Sequence, residues 1–255
     1  MKKYINYLLC VGCFISAIYP ESTPFGKISL PLGKVTIKLA STNTWEKAKP
    51  NRKVFVNDVI KTAPKSRCEI SLIGGGKVRI GESSELELKS ASVKPMKKTF
   101  DTHLKKGSVW VSAKAAFGEK KNISVRTPTA VAAIRGTIFK AKSDNKESSV
   151  QVYDGKVDVN QAKNFIKERK EKRKKSFRQG APTGKPKFTL GPVTEVKAPT
   201  QVSGPYEISL DDWVSLAKGM QISIRADGKY HLFEFDQLKD DEDEFVKWNK
   251  QRDAQ

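Results

Sequence analysis

The side chains best suited to chemistry in this chain are few and lie far apart in the sequence. His103 and His231 are its only histidines, and no catalytic motif surrounds either of them. The chain contains no G-x-S-x-G, no H-E-x-x-H and no dinucleotide-binding glycine pattern. Because an active site needs converging groups with matched protonation behaviour, the sequence predicts a protein that is not an enzyme and binds no cofactor or metal.

The cysteines offer a second kind of chemistry. Cys10 and Cys13 form a C-x-x-C pair, a redox motif in a cytosolic βαβ unit, but here the pair lies in an apolar N-terminal stretch. Val11-Gly12-Cys13 is similar to the end of a bacterial lipobox, although Cys10 stands where leucine is usual. Cys13 is therefore a candidate for lipidation. Cys68 alternates with polar neighbours and is predicted to be a small buried strand residue.

Two further segments resemble ligand-binding loops only in composition. Gly74-Gly75-Gly76-Lys77 lacks the spacing of a phosphate-binding loop and precedes a strand pattern, so we predict a hairpin turn there. The acidic cluster at residues 240–244 lacks the glycine and the spacing of a calcium loop. Acidic residues followed by basic ones suit a helix dipole, so the cluster predicts the start of a helix, with Phe245 and Trp248 on one face.

Composition and the N-terminus favour an exported, basic protein. The 255 residues include 48 Lys and Arg against 28 Asp and Glu, a net charge of +20 that attracts anionic partners. No apolar run reaches the roughly 18 residues of a spanning helix. Lys2 and Lys3 precede a short apolar stretch, so residues 1–22 are predicted to be a signal peptide. Lipidation at Cys13 and ordinary cleavage near residues 19–22 both stay open.

Hydrophobic residues alternate with polar ones along most of residues 25–160. Val35, Ile37 and Leu39 are one example, and Gly155 is one of several turn residues between such runs. This pattern predicts an all-β domain of short strands, arranged as a roll or a solenoid-like stack.

The composition changes sharply after residue 160. Residues 161–187 hold eleven basic and two acidic residues, so the basic linker at 161–200 is predicted to be helical or disordered. It is either a solvated linker or a segment that binds an anionic envelope surface, and the lack of interleaved aromatic residues argues against nucleic acid. The candidate anion-binding residues are Lys172, Arg173, Lys174 and Lys175.

Residues 201–255 are predicted to form a small α+β module. Alternation at 206–210, 221–225 and 230–233 predicts strands, with Asp227-Gly228 as a hairpin turn. Residues 211–217 are predicted to form a short helix, and a second helix is expected at the end of the chain.

Four motifs in order resemble the FecR domain family. They are Gly76–Leu88, Leu104–Val111, Ile123–Phe139 with its T-P-x-A-x-x-x-x-R-G-T-x-F pattern, and Val150–Val157. The residues of this chain that match the family pattern are Thr127, Pro128, Arg135, Gly136, Thr137, Phe139 and Gly155. We interpret them as structural, with Gly136 permitting a turn and Arg135 bonding neighbouring carbonyls. The alternative is that Arg135 contacts an anion.

The resemblance implies an envelope protein that works by β-rich protein–protein contact. In the best-known members the domain senses an outer-membrane receptor from the periplasm and passes the signal through a spanning helix and an anti-sigma domain to a sigma factor. Because the β pattern begins near Phe25, we expect neither of those two parts here.

We therefore expect a non-catalytic exported binding or scaffold module in the periplasm or at the outer membrane. Its expected partner is another envelope protein, with an anionic envelope surface as a second candidate, no nucleic acid, and membrane contact only through a lipid anchor. Two alternatives stay open. One is a signal-transducing regulator of an iron-uptake or sigma-factor pathway that works with a separate membrane partner. The other is a basic protein that binds glycan or lipopolysaccharide.

Overall fold

Strands dominate the computed structural model, which describes residues 24–113, 119–144, 146–162, 206–207 and 213–254. The predicted all-β class is confirmed, and the chain ends in a helix as expected. The strands are β1 Pro24–Leu32, β2 Val35–Lys38, β3 Trp45–Lys47, β4 Lys53–Phe55, β5 Val59–Thr62, β6 Arg67–Leu72, β7 Lys77–Ile80, β8 Glu85–Lys94, β9 Lys97–Ser112, β10 Lys120–Arg126, β11 Ala130–Arg135, β12 Ile138–Ser143, β13 Glu147–Asp154, β14 Lys156–Gln161, β15 Tyr206–Glu207, β16 Val214–Ala217, β17 Met220–Arg225 and β18 Lys229–Glu234. The helices are α1 Gln237–Asp240 and α2 Glu244–Asp253.

The strands pair into two sheets that share one strand. Sheet A has the order β4-β1-β6-β7-β9-β12-β13-β17-β18-β15. Sheet B has the order β3-β2-β5-β8-β9-β10-β11-β14-β16. Nearly all pairs are antiparallel, as expected for strands joined by short turns, and β9 with β10 is a parallel pair.

Strand β9 is long because it passes from one sheet into the other. Its first part pairs with β8 and β10 in sheet B, and residues from Gly107 onward pair with β7 and β12 in sheet A. Gly107 has a φ of +92°, and a Cβ added there would lie 2.5 Å from the Ser84 Cα. Only glycine fits both the backbone angle and this close approach.

The inward-facing side chains of both sheets form one core. Phe25 in sheet A packs edge-on against Phe100 in sheet B, with ring centroids 5.2 Å apart. Cys68 is buried in this core as the alternation predicts, and burial, with the charge of Glu69, raises the pKa of its thiol to about 12. A thiol held neutral in this way is not a nucleophile.

The C-terminal strands extend the same two sheets. β16 pairs with β14 in sheet B, and β17 pairs with β13 in sheet A. The helix predicted at residues 211–217 is wrong for its described part, because Val214–Ala217 is a strand whose Leu216 is buried in the core. The domain boundaries predicted at 160 and 201 stay a prediction.

The two predicted turns are present. Gly74, Gly75 and Gly76 all have positive φ angles and join β6 to β7. Asp227 and Gly228 join β17 to β18, and the Gly228 N–H donates to the Arg225 carbonyl at 2.9 Å.

Candidate functional site

Five residues on the outer face of sheet A lie directly opposite one another on neighbouring strands. Glu69 pairs with Arg79, Arg79 with Trp110, Trp110 with Lys140, and Lys140 with Gln151. We call this set the transverse row. Outward positions of a sheet usually face solvent, yet each of these five residues is buried, and Glu69 is 0% exposed.

The transverse row is buried because the two helices lie over it. Asp236 caps α1, and Asp243 caps α2 by accepting a hydrogen bond from the Phe245 N–H at 2.8 Å. Phe245 and Val246 pack with Trp110 in a small apolar cluster that is distinct from the main core. The Phe245 and Trp248 rings stack with centroids 6.1 Å apart, as the helical spacing predicts.

Glu69 is the centre of an ionic network between the sheet and α2. Its carboxylate accepts hydrogen bonds from Arg79 at 2.7 Å, from Arg252 at 2.9 Å, from Lys77 at 3.0 Å and from the Ser29 hydroxyl at 2.7 Å. Burial alone would raise the pKa of Glu69, but these hydrogen bonds outweigh it and hold the pKa well below its usual range. Glu69 is therefore an anion that three cations share.

Arg79 carries the network from Glu69 to the last turn of α2. Its Nη1 donates to Asp253 Oδ1 at 2.6 Å. The other carboxylate oxygen of Asp253 accepts a hydrogen bond from the Trp110 indole at 2.9 Å. Asn249, whose amide donates to the Phe245 carbonyl at 2.7 Å, lies 3.4 Å from the Arg79 guanidinium. The guanidinium is thus surrounded by acceptors from both the sheet and the helix.

Asp240, at the end of α1, binds the other end of the transverse row. It accepts hydrogen bonds from Lys140 at 2.8 Å, from the Gln151 amide at 3.1 Å and from the Tyr153 hydroxyl. The Tyr153 ring lies 4.3 Å from the Trp110 ring. Burial, together with the hydrogen bond and charge of Asp240, raises the pKa of Tyr153 far above its ordinary value. Tyr153 is therefore a neutral donor at any physiological pH.

The ionic groups of the transverse row are already paired within the fold. Glu69, Arg79 and Lys140 are each held by an oppositely charged partner. His103 is half-buried on β9, and burial lowers its pKa, while His231 is exposed on β18. Within the ranges described above, no group of three His, Cys, Asp or Glu residues is placed to hold a metal. The helices in those ranges are also too short or too polar to cross a membrane.

The predicted family-motif residues lie away from the transverse row. The Ala130 N–H donates a hydrogen bond to the Thr127 hydroxyl oxygen at 2.9 Å. Pro128 is exposed in the turn between them. Phe139 is fully buried in the main core. Arg135 ends β11, and its backbone pairs with Asn122.

Gly136, Thr137 and Gly155 meet at one point in the fold. The Thr137 hydroxyl donates to the Lys156 carbonyl at 2.9 Å. Gly155 has a φ of +80°, and a Cβ added there would lie 3.1 Å from the Thr137 hydroxyl oxygen. Gly136 also has a positive φ, of +59°. These contacts agree with a structural role for the three residues, which stays a prediction.

The remaining predicted site residues lie outside the described residues. They are the lipidation candidate Cys13 and the anion-binding candidates Lys172, Arg173, Lys174 and Lys175. The signal peptide predicted at residues 1–22 lies outside them as well.

The transverse row was not predicted from the sequence. Polar residues at alternate strand positions predict a solvated face, and nothing near Glu69 in the sequence indicates that a helix covers it. One signal was available, because a turn at Gly74–Gly76 places Glu69 opposite Arg79 in the predicted hairpin. Opposite charges in direct register could have indicated an ion pair.

One family model matches the part of the chain that includes β9, the strand shared by the two sheets. The family model described as FecR protein matches residues 58–158. No curated protein matches the chain.

Among solved structures, two crystal structures of a "putative anti-sigma factor" from Parabacteroides distasonis are similar, with a TM-score of 0.43 and 14% identity in each case. The match covers 70% of this chain and 60% of the solved chain. This chain therefore spans less than two thirds of the length of those structures.

Proposed function

We propose that this chain, which carries a FecR domain across residues 58–158, is a non-catalytic regulatory module that transmits a signal by protein–protein contact. The transverse row and the helix that covers it are its switchable contact site. The observation that carries the proposal is the polar character of this helix–sheet contact. Buried ion pairs join α2 to sheet A beside the small apolar cluster of Phe245 and Val246, whereas the main core is apolar throughout.

A polar contact of this kind selects its partner more strongly than it stabilises the fold. Burying ions costs desolvation energy that their mutual attraction only partly recovers, so an ion-paired interface is a poor stabiliser compared with an apolar one. It does discriminate strongly, because a partner that leaves Arg79 or Glu69 unpaired is rejected. The α2 contact therefore suits an element that can be exchanged for a matching partner.

The charge pattern defines the partner that could replace α2. Arg79 requires a carboxylate and Glu69 requires a guanidinium, which Asp253 and Arg252 supply side by side at the end of α2. Trp110 adds an indole donor and an aromatic surface. A partner segment with an adjacent Arg-Asp pair and an aromatic residue one turn earlier would satisfy the same groups.

We also propose that the protein is exported and that its partner lies in the cell envelope. The basic tip and apolar stretch of residues 1–22 support this. Mass spectrometry of the mature N-terminus tests it, with loss of residues 1–22 or a lipid on Cys13 as the expected result. A retained Met1 on an unprocessed chain would contradict export.

A deletion strain tests the regulatory function. We expect deletion to change the transcription of a defined set of genes, transport genes among them, and the wild-type chain to restore it. A chain with Arg79→Met should fold but fail to restore transcription, because its transverse row can no longer bind a carboxylate of the partner. The matched control is Arg225→Gln, which removes a half-exposed arginine whose ion pair measures 3.8 Å.

Two outcomes separate regulator from scaffold. A regulator changes transcription and leaves envelope permeability to dyes and detergents unchanged. A deletion that changes permeability with no transcriptional response would replace the regulatory proposal with the scaffold. Full restoration of transcription by the Arg79→Met chain would show that the transverse row is not needed for the regulatory function.

A further inference from the structure

The hairpin between β8 and β9 ends in an exposed apolar apex. Its turn is Pro95-Met96, and residues 92–97 are all exposed, whereas Phe100 farther along β9 is fully buried. Met96 is 61% exposed and Val93 is 43% exposed. We call residues 93–98 the hairpin tip. Exposed apolar side chains at the apex of a hairpin gain little from the fold and are available to a partner.

Three lysines lie in direct register beside this apex. Lys94 on β8 is opposite Lys97 on β9, and Lys97 is opposite Lys120 on β10. All three are exposed, and none forms an ion pair with another residue in the part of the chain that the structure describes. Like charges directly opposite one another destabilise a sheet, so this face of the hairpin is unfavourable without an external anion.

The opposite face of the hairpin carries its own anion. Val93 is opposite Lys98, and Lys98 is opposite Lys121. Glu119 lies 2.5 Å from the Lys98 Nζ and 3.7 Å from the Lys121 Nζ. Lys98 and Lys121 thus share one carboxylate within the fold, and the row of Lys94, Lys97 and Lys120 has no ion-pair partner among the described residues. This difference between the two faces leaves the row of Lys94, Lys97 and Lys120 as the more favourable place for an external anion.

We propose that the hairpin tip together with Lys120 binds the surface of an anionic lipid bilayer. Lys94, Lys97 and Lys120 contact the headgroups, and Met96 and Val93 enter the boundary between headgroups and acyl chains. Basic side chains beside exposed apolar ones are the combination that holds proteins at bilayer interfaces. A soluble anion would account for the lysines but not for the apolar apex.

This proposal does not rest on the regulatory function. The hairpin tip shares no residue with the transverse row, so its variants leave the α2 contact intact. Failure of one proposal is therefore visible separately from failure of the other.

Vesicle binding by the full chain tests the proposal. The probes are vesicles of pure phosphatidylcholine and of phosphatidylcholine with phosphatidylglycerol, with partition coefficients measured by sedimentation at 0.1 M salt. Lys94→Gln/Lys97→Gln/Lys120→Gln should lower the partition coefficient on the anionic vesicles by roughly a hundredfold, about fivefold for each lysine. Met96→Ser should lower it severalfold. Unfolding curves establish that each variant folds.

Two control variants separate the hairpin tip from other basic regions. Lys34→Gln/Lys65→Gln/Lys106→Gln removes three exposed lysines elsewhere, and Lys106 lies nine residues from Lys97 along β9. Its partition coefficient should stay within a factor of about three of the wild-type value, because salt screens charges that lie farther than about 10 Å from the bilayer. A second control replaces Lys172, Arg173, Lys174 and Lys175 with Gln.

The proposal is supported if the lysine variant and Met96→Ser both lose binding and the first control does not. It is overturned if the wild-type chain binds neutral and anionic vesicles equally, or binds neither. Equal loss in the first control, or loss only in the variant of residues 172–175, would overturn it too. If Met96→Ser keeps its binding and millimolar inorganic phosphate competes fully, the site binds small anions and the proposal is overturned. Binding to an acidic protein but to no vesicle would overturn it as well.

Discussion

Arg79, in the middle of sheet A, donates from Nη1 to Asp253 Oδ1 at 2.6 Å, although 174 residues separate the two in the sequence. The Arg79 side chain is 1% exposed and the Asp253 side chain 14% exposed. This ion pair fixes the last turn of the terminal helix to sheet A. The position of α2 is therefore set by charge pairing as much as by the packing of Phe245 and Val246.

Asp253→Asn should destabilise the fold by about 2 kcal/mol, because the buried Arg79 loses a charged acceptor while its other hydrogen bonds remain. The measurement is the free energy of unfolding in urea, followed by tryptophan fluorescence. The matched control Arg225→Gln should change it by less than about 0.5 kcal/mol, since both members of its pair are about half exposed. Equal effects from the two substitutions would contradict the assigned role of Asp253.

Acidification should remove the contribution of Glu69 to stability. The pKa of Glu69 lies below its ordinary value of 4.5 in the folded chain. Above pH 4.5 the carboxylate is ionised in both states and its contribution is complete. As the pH falls below 4.5, the unfolded state binds a proton that the folded state does not, so stability decreases until the pH reaches the lowered pKa.

Glu69→Gln isolates this effect from the other carboxylates. It should cost about 3–5 kcal/mol at pH 7, because it removes the anion that the buried Arg79 shares with the partly exposed Lys77 and Arg252. That difference from the wild type should shrink between pH 5 and pH 3. The pKa of Glu85 is also lowered, because its contacts with Lys61 and Lys105 outweigh the opposing effect of burial. Glu85 is present in the wild type and in Glu69→Gln, so it does not affect the difference between them. Urea unfolding at four pH values checks the prediction, and a constant difference would refute it.

The sequence predicted the fold where local pattern and local structure agree. Alternation placed Val78 and Ile80 in the core, and the turn at Gly74–Gly76 followed from three adjacent glycines. It could not predict that the polar face at Glu69 is buried, because the covering helix begins at Glu244, far along the chain. A polar residue that faces solvent and one that faces an ion-paired helix have the same strand periodicity.

The prediction of a short helix at residues 211–217 is wrong for a related reason. Val214–Ala217 has no strong local preference, and pairing with β14 decides its conformation. The same dependence on distant partners explains why the lysines that share Glu119 could not be distinguished by composition from the row of Lys94, Lys97 and Lys120. Only the register of β8, β9 and β10 places Lys94, Lys97 and Lys120 in one row.

Gly155→Ala should destabilise the fold by about 2 kcal/mol. Its positive φ alone costs an L-residue roughly 1–2 kcal/mol, and the added Cβ would press on a Thr137 hydroxyl already bonded to Lys156. Gly219→Ala is the matched control, since Gly219 has a similar φ of +84° but its nearest neighbour would be 3.5 Å away, in ordinary contact. Urea unfolding should give a larger loss for Gly155→Ala, and equal losses would show that the Thr137 contact is unimportant.

Lys97→Gln should stabilise the isolated protein. Lys97 lies between Lys94 and Lys120 in adjacent strands, so its removal relieves two repulsive contacts of up to about 0.5 kcal/mol each. The gain should fade in 1 M salt, where charges are screened beyond about 3 Å. Lys98→Gln is the matched control and should instead destabilise, because Lys98 is paired with Glu119. Thermal unfolding at low and high salt measures both. Loss of stability in Lys97→Gln would mean that the lysine row is tolerated by the fold and that its positions carry no evidence of an external anion.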